Sequence, residues 1–276
     1  IKFIWFWRYK CNSCLFKAPR KLIVNLMTGK TGLIMGVANE RSIAWGIANE
    51  LFLNKANIVL TYQNDSLKKR IEPLSEKINC KNLYKCDVSL EYENEYSIEN
   101  LIKNIKKDVG SLDFVVHALA YSDKEELKGK YLETSRQNFL STLDISTYSF
   151  TRVAKSASKI MNNGGSLLTL TYVGSKQTTP NYNVMGVAKA ALETSVKYLS
   201  VDLGKNNIRV NAISAGPMKT IAGAAISGAR HVYRYSEKVS PLQTNPDLKQ
   251  VGNAALYLLS DISSGVTGLT HYVDGG

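Results

Sequence analysis

Strand-like apolar runs alternate with helical stretches along most of this 276-residue chain, and this order limits the fold more than any single motif. The continuous apolar run Phe114-Val115-Val116 is typical of a strand that is covered on both faces. Alternation of this kind predicts an α/β fold: a doubly wound, seven-stranded parallel sheet with helices on both faces. The predicted strands cover residues 31–37, 58–62, 82–86, 112–118, 166–172, 208–214 and 270–273. The predicted helices cover residues 42–55, 66–78, 97–108, 136–161, 181–204 and 247–260.

Residues 27–276 show no linker, repeat or low-complexity tract, so we assign them to one domain. Residues 1–26 differ from the rest and are expected to lie outside the fold as an N-terminal extension, with Met27 as the favoured start. An organelle transit peptide is the alternative, although the aromatic cluster at residues 3–7 is unusual for that class. The small residues near 219–238 indicate a mobile lid over a substrate site.

The charge pattern argues against nucleic acid as the main partner. The chain has 35 basic and 23 acidic residues, a net charge of +12. This excess falls to +5 in residues 40–276, because the first 39 residues carry seven basic side chains and no acidic ones. No predicted helix carries a basic stripe interleaved with aromatic residues.

Cys11 and Cys14 have the spacing of a metal site but lack a second ligand pair, so we expect no metal. No segment is long enough to span a bilayer.

The turn after the first predicted strand has the features of a phosphate-binding loop. Gly36 allows a tight turn off the strand, and Ser42 and Ile43 at the start of the next helix offer a hydroxyl and backbone N–H groups to a pyrophosphate. Gly46, one turn later, is expected to let this helix pack closely on the sheet. The loop alone is weak evidence, because a Gly followed by a Ser N-cap also opens ordinary helices.

The ends of the next strands predict the rest of a dinucleotide site. Gln63 follows the second strand, at the position where dinucleotide-binding folds contact the adenosine ribose. Because Gln63 is uncharged and cannot pair with a 2′-phosphate, it favours NADH over NADPH. Alternatively, Gln63 is a solvated turn residue. Asp87, followed by Val88, either accepts from the adenine amino group or caps the following helix. Ala118 is small enough for the backbone to approach the cofactor, whereas His117 is expected to be a packed strand residue.

Tyr182 and Lys189 are the strongest catalytic candidates. Seven residues are about two turns of helix, so the phenol and the ammonium point the same way. A hydrogen-bond donor and a cation then line one wall, near the nucleotide site predicted upstream.

With these segments in order, residues 27–276 resemble the NAD-dependent enoyl-acyl-carrier-protein reductases of bacterial and plastid fatty-acid synthesis, a branch of the Rossmann-type short-chain dehydrogenase/reductase superfamily. The similarity is carried by residues 36–48, 61–65, 169–172, 180–189 and 209–217. Ordinary carbonyl-reducing members place Tyr and Lys four residues apart and have a Ser where this chain has Tyr172. The seven-residue spacing with a preceding Tyr is the enoyl reductase pattern.

The resemblance implies that the chain reduces the trans-2 double bond of enoyl-acyl carrier protein with NADH, the last step of fatty-acid elongation. Tyr182 would hydrogen-bond the thioester oxygen, and Lys189 the nicotinamide ribose. Tyr172 and Ala120 would line the acyl site. Met218, through its backbone, and Thr220, through its hydroxyl, would hold the nicotinamide carboxamide. The resemblance also implies a homotetramer in the bacterial cytoplasm, or in a plastid if residues 1–26 are a transit peptide.

The lid region carries cations that fit an acidic partner. Lys219, Arg230, His231 and Arg234 would form a positive rim for the acidic acyl carrier protein, although scattered cations on a solvated helix are equally common. Ala118 and Ala120 stand where the family usually has Ser or Gly at the first position and Gly or Ala at the second. The chain also stops about a dozen residues before its relatives do. A carbonyl reductase and a non-catalytic dinucleotide sensor remain the alternatives.

Overall fold

Seven parallel strands form one sheet in the computed structural model, which describes residues 25–220, 223 and 228–276. The strands are β1 (Thr31–Met35), β2 (Asn57–Tyr62), β3 (Asn82–Lys85), β4 (Phe114–His117), β5 (Gly165–Thr171), β6 (Ile208–Ala215) and β7 (Thr270–Val273). Their order is β3-β2-β1-β4-β5-β6-β7, and each neighbouring pair is parallel. The strand order reverses between β1 and β4, which is where doubly wound sheets open a ligand crevice.

Eight α-helices connect the strands in the described part of the chain. They are α1 (Ile43–Leu53), α2 (Asp65–Lys77), α3 (Ile98–Asp108), α4 (Arg136–Leu143), α5 (Ser149–Ala157), α6 (Asn183–Gly204), α7 (Ala229–Val239) and α8 (Leu248–Leu259). Short 3₁₀ turns cover Tyr131–Glu133, Ser158–Ile160, Val173–Ser175 and Asp261–Ser263. The predicted helices are present, and α7 adds a helix within the region expected to form the lid.

The stretch predicted as one helix over residues 136–161 is interrupted by a π-helical turn at Asp144–Tyr148. Two hydroxyls of this turn bond to its neighbours. Ser146 Oγ accepts from the Tyr121 N–H at 3.0 Å and donates to the Tyr121 carbonyl at 3.1 Å, and Thr147 Oγ1 donates to the Ala188 carbonyl at 2.8 Å. π turns often occur at functional sites. This one joins the loop after β4 to α6.

Two hydrophobic layers cover the two faces of the sheet. On one face, Ile98 of α3, Phe150 of α5 and Leu192 of α6 are buried against the strands. On the other face, Ile47 of α1 and Val251 of α8 belong to a second buried cluster. The strands are therefore apolar on both sides, as their continuous hydrophobic runs predict.

Helices α1 and α8 approach each other closely because both have a glycine at the contact. A Cβ on Gly46 would lie 2.8 Å from Leu248 Cβ, and one on Gly252 would lie 2.5 Å from Glu50 Cγ. The prediction that Gly46 packs on the sheet is therefore wrong. Its small size is needed where α8, which covers the same face of the sheet, packs against α1.

Several expectations fall wholly or partly outside the described residues. They concern residues 1–24, with Cys11 and Cys14, and positions 221, 222 and 224–227 of the expected lid. Within the described ranges, Met27 is fully buried in the core. No helix in those ranges is long and apolar enough to cross a bilayer, and no group of three or more His, Cys, Asp or Glu residues is placed to hold a metal ion.

Candidate active site

A cleft of about 840 Å³ opens at the carboxyl ends of the strands, above the reversal between β1 and β4. Every residue predicted for the cofactor or the substrate lines it: Gly36, Ser42, Ile43, Gln63, Asp87, Val88, Ala118, Ala120, Tyr172, Tyr182, Lys189, Met218 and Thr220. The lining is mostly apolar, with a few convergent polar groups, as in sites for cofactors and small substrates.

The phosphate end of the cleft is formed by the close approach of two strand ends. Gly36 has a φ of 100°, which favours glycine, and a Cβ there would lie 2.1 Å from the Ala118 carbonyl oxygen. Ala118 thus faces the Gly36 turn directly, and any side chain at Gly36 would force the two strand ends apart. The absence of side-chain atoms leaves backbone available to a ligand.

Helix α1 begins beside this turn, as predicted. Ser42 is its N-cap: the hydroxyl accepts from the Trp45 N–H at 3.4 Å and donates to the Asn39 carbonyl at 2.7 Å. Ile43 is the first helical residue. The positive end of the α1 dipole therefore faces the cleft, where it favours an anionic group such as a pyrophosphate.

Gln63 and Asp87 meet at the adenosine end of the cleft. Gln63 Nε2 donates to Asp87 Oδ2 at 2.9 Å, and Asp87 Oδ1 accepts from the N–H and the hydroxyl of Ser89 at 3.0 and 2.7 Å. Partial burial raises the pKa of Asp87, but these hydrogen bonds outweigh it and leave the pKa below its ordinary value. Asp87 does not cap the following helix, because Ser97 is the N-cap of α3.

Arg152 supports this end of the cleft from behind. Its guanidinium donates to the Val88 and Leu90 carbonyls at 3.1 and 3.0 Å and pairs with Glu99 at 2.8 Å. The loop that carries Val88 is therefore fixed to α3 and α5. Sequence analysis missed Arg152, because nothing in its local sequence indicates contacts with a loop more than sixty residues away.

Tyr182 lies at the N-cap of α6, so it precedes the helix instead of lying within it. Its neighbours Asn181 and Asn183 have φ values of 60° and 40°, a left-handed conformation that Asn tolerates better than most residues. The tyrosine is 7% exposed, and burial is the main cause that raises its pKa above the ordinary value. The phenol therefore remains protonated and able to donate at neutral pH.

Tyr172 packs edge-on against Tyr182, with ring centroids 5.2 Å apart and an interplanar angle of 66°. Gly174 makes this arrangement possible. A Cβ on Gly174 would lie 2.5 Å from Cδ1 of Tyr182 and 3.2 Å from Cδ1 of Tyr172. The turn after β5 thus lies directly against the Tyr182 ring and determines where the phenol points.

Lys189 lies in α6 and reaches the same cleft. Its Nζ donates to the Leu170 carbonyl at 2.8 Å, and the residue is only 6% exposed. Burial lowers the pKa of Lys189 to about 8, while the Glu193 carboxylate acts in the opposite direction. The ammonium is therefore charged at neutral pH but loses its proton within the accessible alkaline range.

His117 is a fully buried strand residue, as the sequence suggested. Its ring nitrogens lie 2.7 Å from Ser149 Oγ and 3.3 Å from Thr169 Oγ1. Burial, followed by the nearby Lys189 charge, lowers the pKa of His117 to about 3. The imidazole is thus neutral and joins β4 to β5 and α5.

The turn after β6 forms the remaining wall. The Gly216 N–H donates to the Val273 carbonyl at 2.8 Å, which anchors the turn to β7. The Met218 carbonyl accepts from the Tyr233 hydroxyl of α7 at 2.7 Å, and Thr220 Oγ1 accepts from the Gly223 N–H at 2.9 Å. Tyr233, which sequence analysis missed, therefore links the cleft to α7.

Glu193 is the third site residue missing from the sequence-based prediction, although its spacing from Lys189 could have suggested it. It lies four residues after Lys189 on the same helix and is 3% exposed. A carboxylate one helical turn from a candidate catalytic lysine is a signal that the sequence contains. Its burial and its partners, however, depend on the turn after β5.

This combination defines a dinucleotide-dependent oxidoreductase: a doubly wound sheet, a glycine turn leading into a helix N-terminus, and a tyrosine and a lysine in one cleft. Comparisons with known proteins identify the branch. The family model described as Enoyl-(Acyl carrier protein) reductase matches residues 36–276. The chain belongs to the enoyl-acyl-carrier-protein reductase family.

Individual relatives agree with this assignment. The chain is 55% identical over 251 residues to enoyl-[acyl-carrier-protein] reductase [NADH] 1 of Rhizobium meliloti, covering 91% of each protein. It is 52% identical to the enoyl-(acyl-carrier-protein) reductase of Anaplasma phagocytophilum, solved in complex with NAD, with a TM-score of 0.85 and 91% and 92% of the two chains covered. The FabI structure from Candidatus Liberibacter asiaticus gives 49% identity and a TM-score of 0.88, covering 92% and 96%. The predicted fold, family, activity and coenzyme are confirmed.

Proposed function

We propose that Tyr182 and Lys189 carry the enoyl reduction in this chain, with NADH in the cleft between β1 and β4. The observation that carries the proposal is their convergence: both side chains are more than nine-tenths buried and line the same cleft as the predicted dinucleotide residues. When bound, NADH would supply a hydride to the β-carbon of the enoyl thioester, and a proton from solvent at the α-carbon would complete the saturation.

The residues present fit that coenzyme from end to end. The Gly36 turn and the α1 N-terminus suit the pyrophosphate, because they offer backbone donors and no side-chain obstruction. Asp87 and Gln63 suit the adenosine, with Val88 and Ala118 beside them. Because Asp87 is ionised and bonded to Gln63, an added 2′-phosphate there would meet a negative charge, which favours NADH over NADPH.

Reduction of the double bond moves negative charge onto the thioester oxygen. Tyr182 donates a hydrogen bond to that oxygen, and such donors are worth roughly 3–4 kcal/mol in comparable sites. Lys189 would hold the ribose hydroxyls of the bound coenzyme, and its charge would further favour the anion. Burial of both groups in a largely apolar cleft strengthens these interactions, because water does not screen them.

The acyl chain would lie along the apolar part of the cleft. Tyr172 and Ala120 line it, together with Leu127, Met185 and Val232. Tyr172 contacts the Tyr182 ring and would touch the thioester region without donating the decisive hydrogen bond. Tyr121, 51% exposed, stands where a growing chain could leave the cleft.

The cleft continues into a basic groove that suits the acidic acyl carrier protein. Arg41, Lys219, Arg230 and Arg234 line this groove, and His231 is exposed on the same helix. A positive rim would steer an acidic carrier toward the cleft. Because α7 also donates the Tyr233 hydroxyl to the Met218 carbonyl, residues 219–238 would act as a lid that responds to the bound nicotinamide.

A homotetramer remains part of the proposal. Helix α6 exposes Val187, Tyr198 and Val201, the latter two at 72% each. At the β7 end of the sheet, Leu269 and Tyr272 are 41% and 46% exposed. Exposed apolar residues on these two faces are typical of surfaces that associate. Sedimentation equilibrium would test the state directly, and a monomeric mass would contradict it.

We also propose a bacterial cytoplasmic location, since the relatives described above are bacterial proteins. The plastid alternative gains no support from them.

Initial rates with NADH and NADPH in parallel test the function. A crotonyl thioester should be reduced, with NADH preferred, and an acetoacetyl thioester should not. Activity with the ketone alone would replace the assignment with a carbonyl reductase. Binding of NADH without turnover of either thioester would indicate a dinucleotide sensor.

A further inference from the structure

Glu193 is a buried carboxylate beside the catalytic groups, and the proposed reaction gives it no role. It is 3% exposed and lies on α6, one helical turn after Lys189. Isolated buried carboxylates are costly, so their partners indicate why they are kept.

The partners of Glu193 come from the segment around Tyr172. Thr171 Oγ1, at the end of β5, donates to Oε1 at 2.8 Å, and Ser175 Oγ donates to the same oxygen. Lys176 Nζ lies 3.1 Å from Oε2. The carboxylate therefore binds both sides of Tyr172 to the helix that carries Lys189.

This junction sets the geometry of the catalytic groups. The turn held by Glu193 contains Gly174, on which the Tyr182 ring lies, and Tyr172, which packs against that ring. Loosening the junction would release the surface that orients the phenol.

The Glu193 carboxylate also acts on Lys189, because its negative charge raises the pKa of the ammonium. The other groups that act on the ammonium are the Leu170 carbonyl of β5 and His117 of β4, whose low pKa leaves it neutral, while the Tyr182 phenol in the same cleft is also uncharged. Glu193 is therefore the anionic group that offsets the burial of the ammonium among these neighbours.

We propose that Glu193 is a positioning residue for enoyl reduction: it fixes the Tyr172 turn on α6 and keeps the buried Lys189 ammonium charged. This inference rests on the role of Lys189 proposed above. It predicts a change in the pH dependence of the reaction that a purely structural residue would not produce.

Glu193→Gln tests the proposal, with Glu50→Gln as the matched control. Glutamine keeps the shape and one acceptor for Thr171 and Ser175 but removes the charge. Glu50 is also a buried helical carboxylate, at 8% exposure, but it lies at the contact between α1 and α8, away from the cleft. The measurement is kcat/KM for a crotonyl thioester across pH, with the NADH dissociation constant measured at each pH.

In Glu193→Gln the alkaline loss of activity should move down by about one pH unit, because loss of a nearby opposite charge shifts a pKa by roughly that amount. NADH binding should weaken at pH 8 and approach the wild-type value near pH 6.5. Glu50→Gln should keep the wild-type alkaline limb. An unshifted limb in Glu193→Gln, with only the stability loss also seen in Glu50→Gln, overturns the proposal.

Lys176→Gln gives an independent test if Glu193→Gln fails to fold. Lys176 is 53% exposed and neutralises part of the Glu193 charge, so its removal should move the alkaline limb slightly upward. A downward shift, or none, overturns the proposal. Lys189→Met distinguishes a failure of this inference from a failure of the proposed function. If Lys189→Met leaves NADH binding and turnover intact, the proposed role of Lys189 is wrong. If Lys189→Met loses activity but Glu193→Gln does not shift the alkaline limb, only the role of Glu193 is wrong.

Discussion

Gly174→Ala should disable the reaction without disturbing the fold or the coenzyme site. The added Cβ would lie 2.5 Å from Cδ1 and 2.8 Å from Cε1 of Tyr182. Ordinary carbon contacts are about 3.5–4.0 Å, so the ring must move by roughly 1 Å. Gly174 lacks a positive φ, so alanine introduces a steric effect on the ring and no backbone strain.

A displacement of that size near the reacting atoms costs on the order of 100-fold in rate. We therefore expect kcat for a crotonyl thioester to fall about 100-fold, while the NADH dissociation constant changes little. Stopped-flow loss of NADH absorbance gives the first value, and quenching of protein fluorescence gives the second.

Two controls make the result specific. Gly204 lies at the other end of α6 from Tyr182, and a Cβ there would meet nothing within 4 Å. Gly204→Ala should retain full activity. Gly174→Ala combined with Tyr182→Phe should be about as slow as Tyr182→Phe alone, because both changes act through the same phenol. A Gly174→Ala enzyme within threefold of wild-type kcat would refute the reasoning.

Three further predictions concern single groups. Lys189→Met should weaken NADH binding about 10-fold or more, since it removes a charged hydrogen-bond donor; an unchanged dissociation constant measured by calorimetry would contradict the assignment. The pKa of His117 is about 3 in the folded protein and 6.5 in the unfolded chain, because the buried imidazole stays neutral. The contribution of His117 to folding stability is therefore complete above pH 6.5 and is lost as the pH falls toward 3. Urea titrations should show that this group accounts for about 2 kcal/mol of the stability lost between pH 7 and pH 5, a loss that His117→Asn should reduce. Arg152→Met removes the partner of Glu99 and releases the Val88 loop, so the free energy of unfolding should fall by about 1–3 kcal/mol and NADH binding should weaken at the adenosine end; an unaltered denaturation midpoint would exclude that role.

The sequence was informative wherever local rules apply. Continuous apolar runs located the seven strands, and Ser42 marked the start of α1 because N-capping depends on a few neighbouring residues. Parallel strands bring their carboxyl ends to one edge, so the residues predicted at those ends, including Gln63 and Asp87, share one cleft. Helical periodicity and family spacing selected Tyr182 and Lys189, which line the same cleft, although Tyr182 lies at the N-cap of α6 and not within the helix.

The sequence was uninformative where a role depends on distant packing. Nothing near Gly46 shows that α8 instead of the sheet lies against it, and Asp87 looks like a helix cap until Ser97 is seen to cap α3. Arg152 and Glu193 are ordinary charged residues on helices until the fold brings a loop or a strand end to them. Their importance depends on burial, which single-sequence patterns do not report.

A single-turnover experiment on Tyr182→Phe measures the contribution of the Tyr182 phenol to hydride transfer by itself. Saturating NADH and crotonyl thioester isolate hydride transfer from binding and product release. The rate constant should fall by about 100-fold or more, with the NADH dissociation constant unchanged, because only the donor to the developing oxyanion is lost. A Tyr182→Phe enzyme that transfers hydride at the wild-type rate would contradict it.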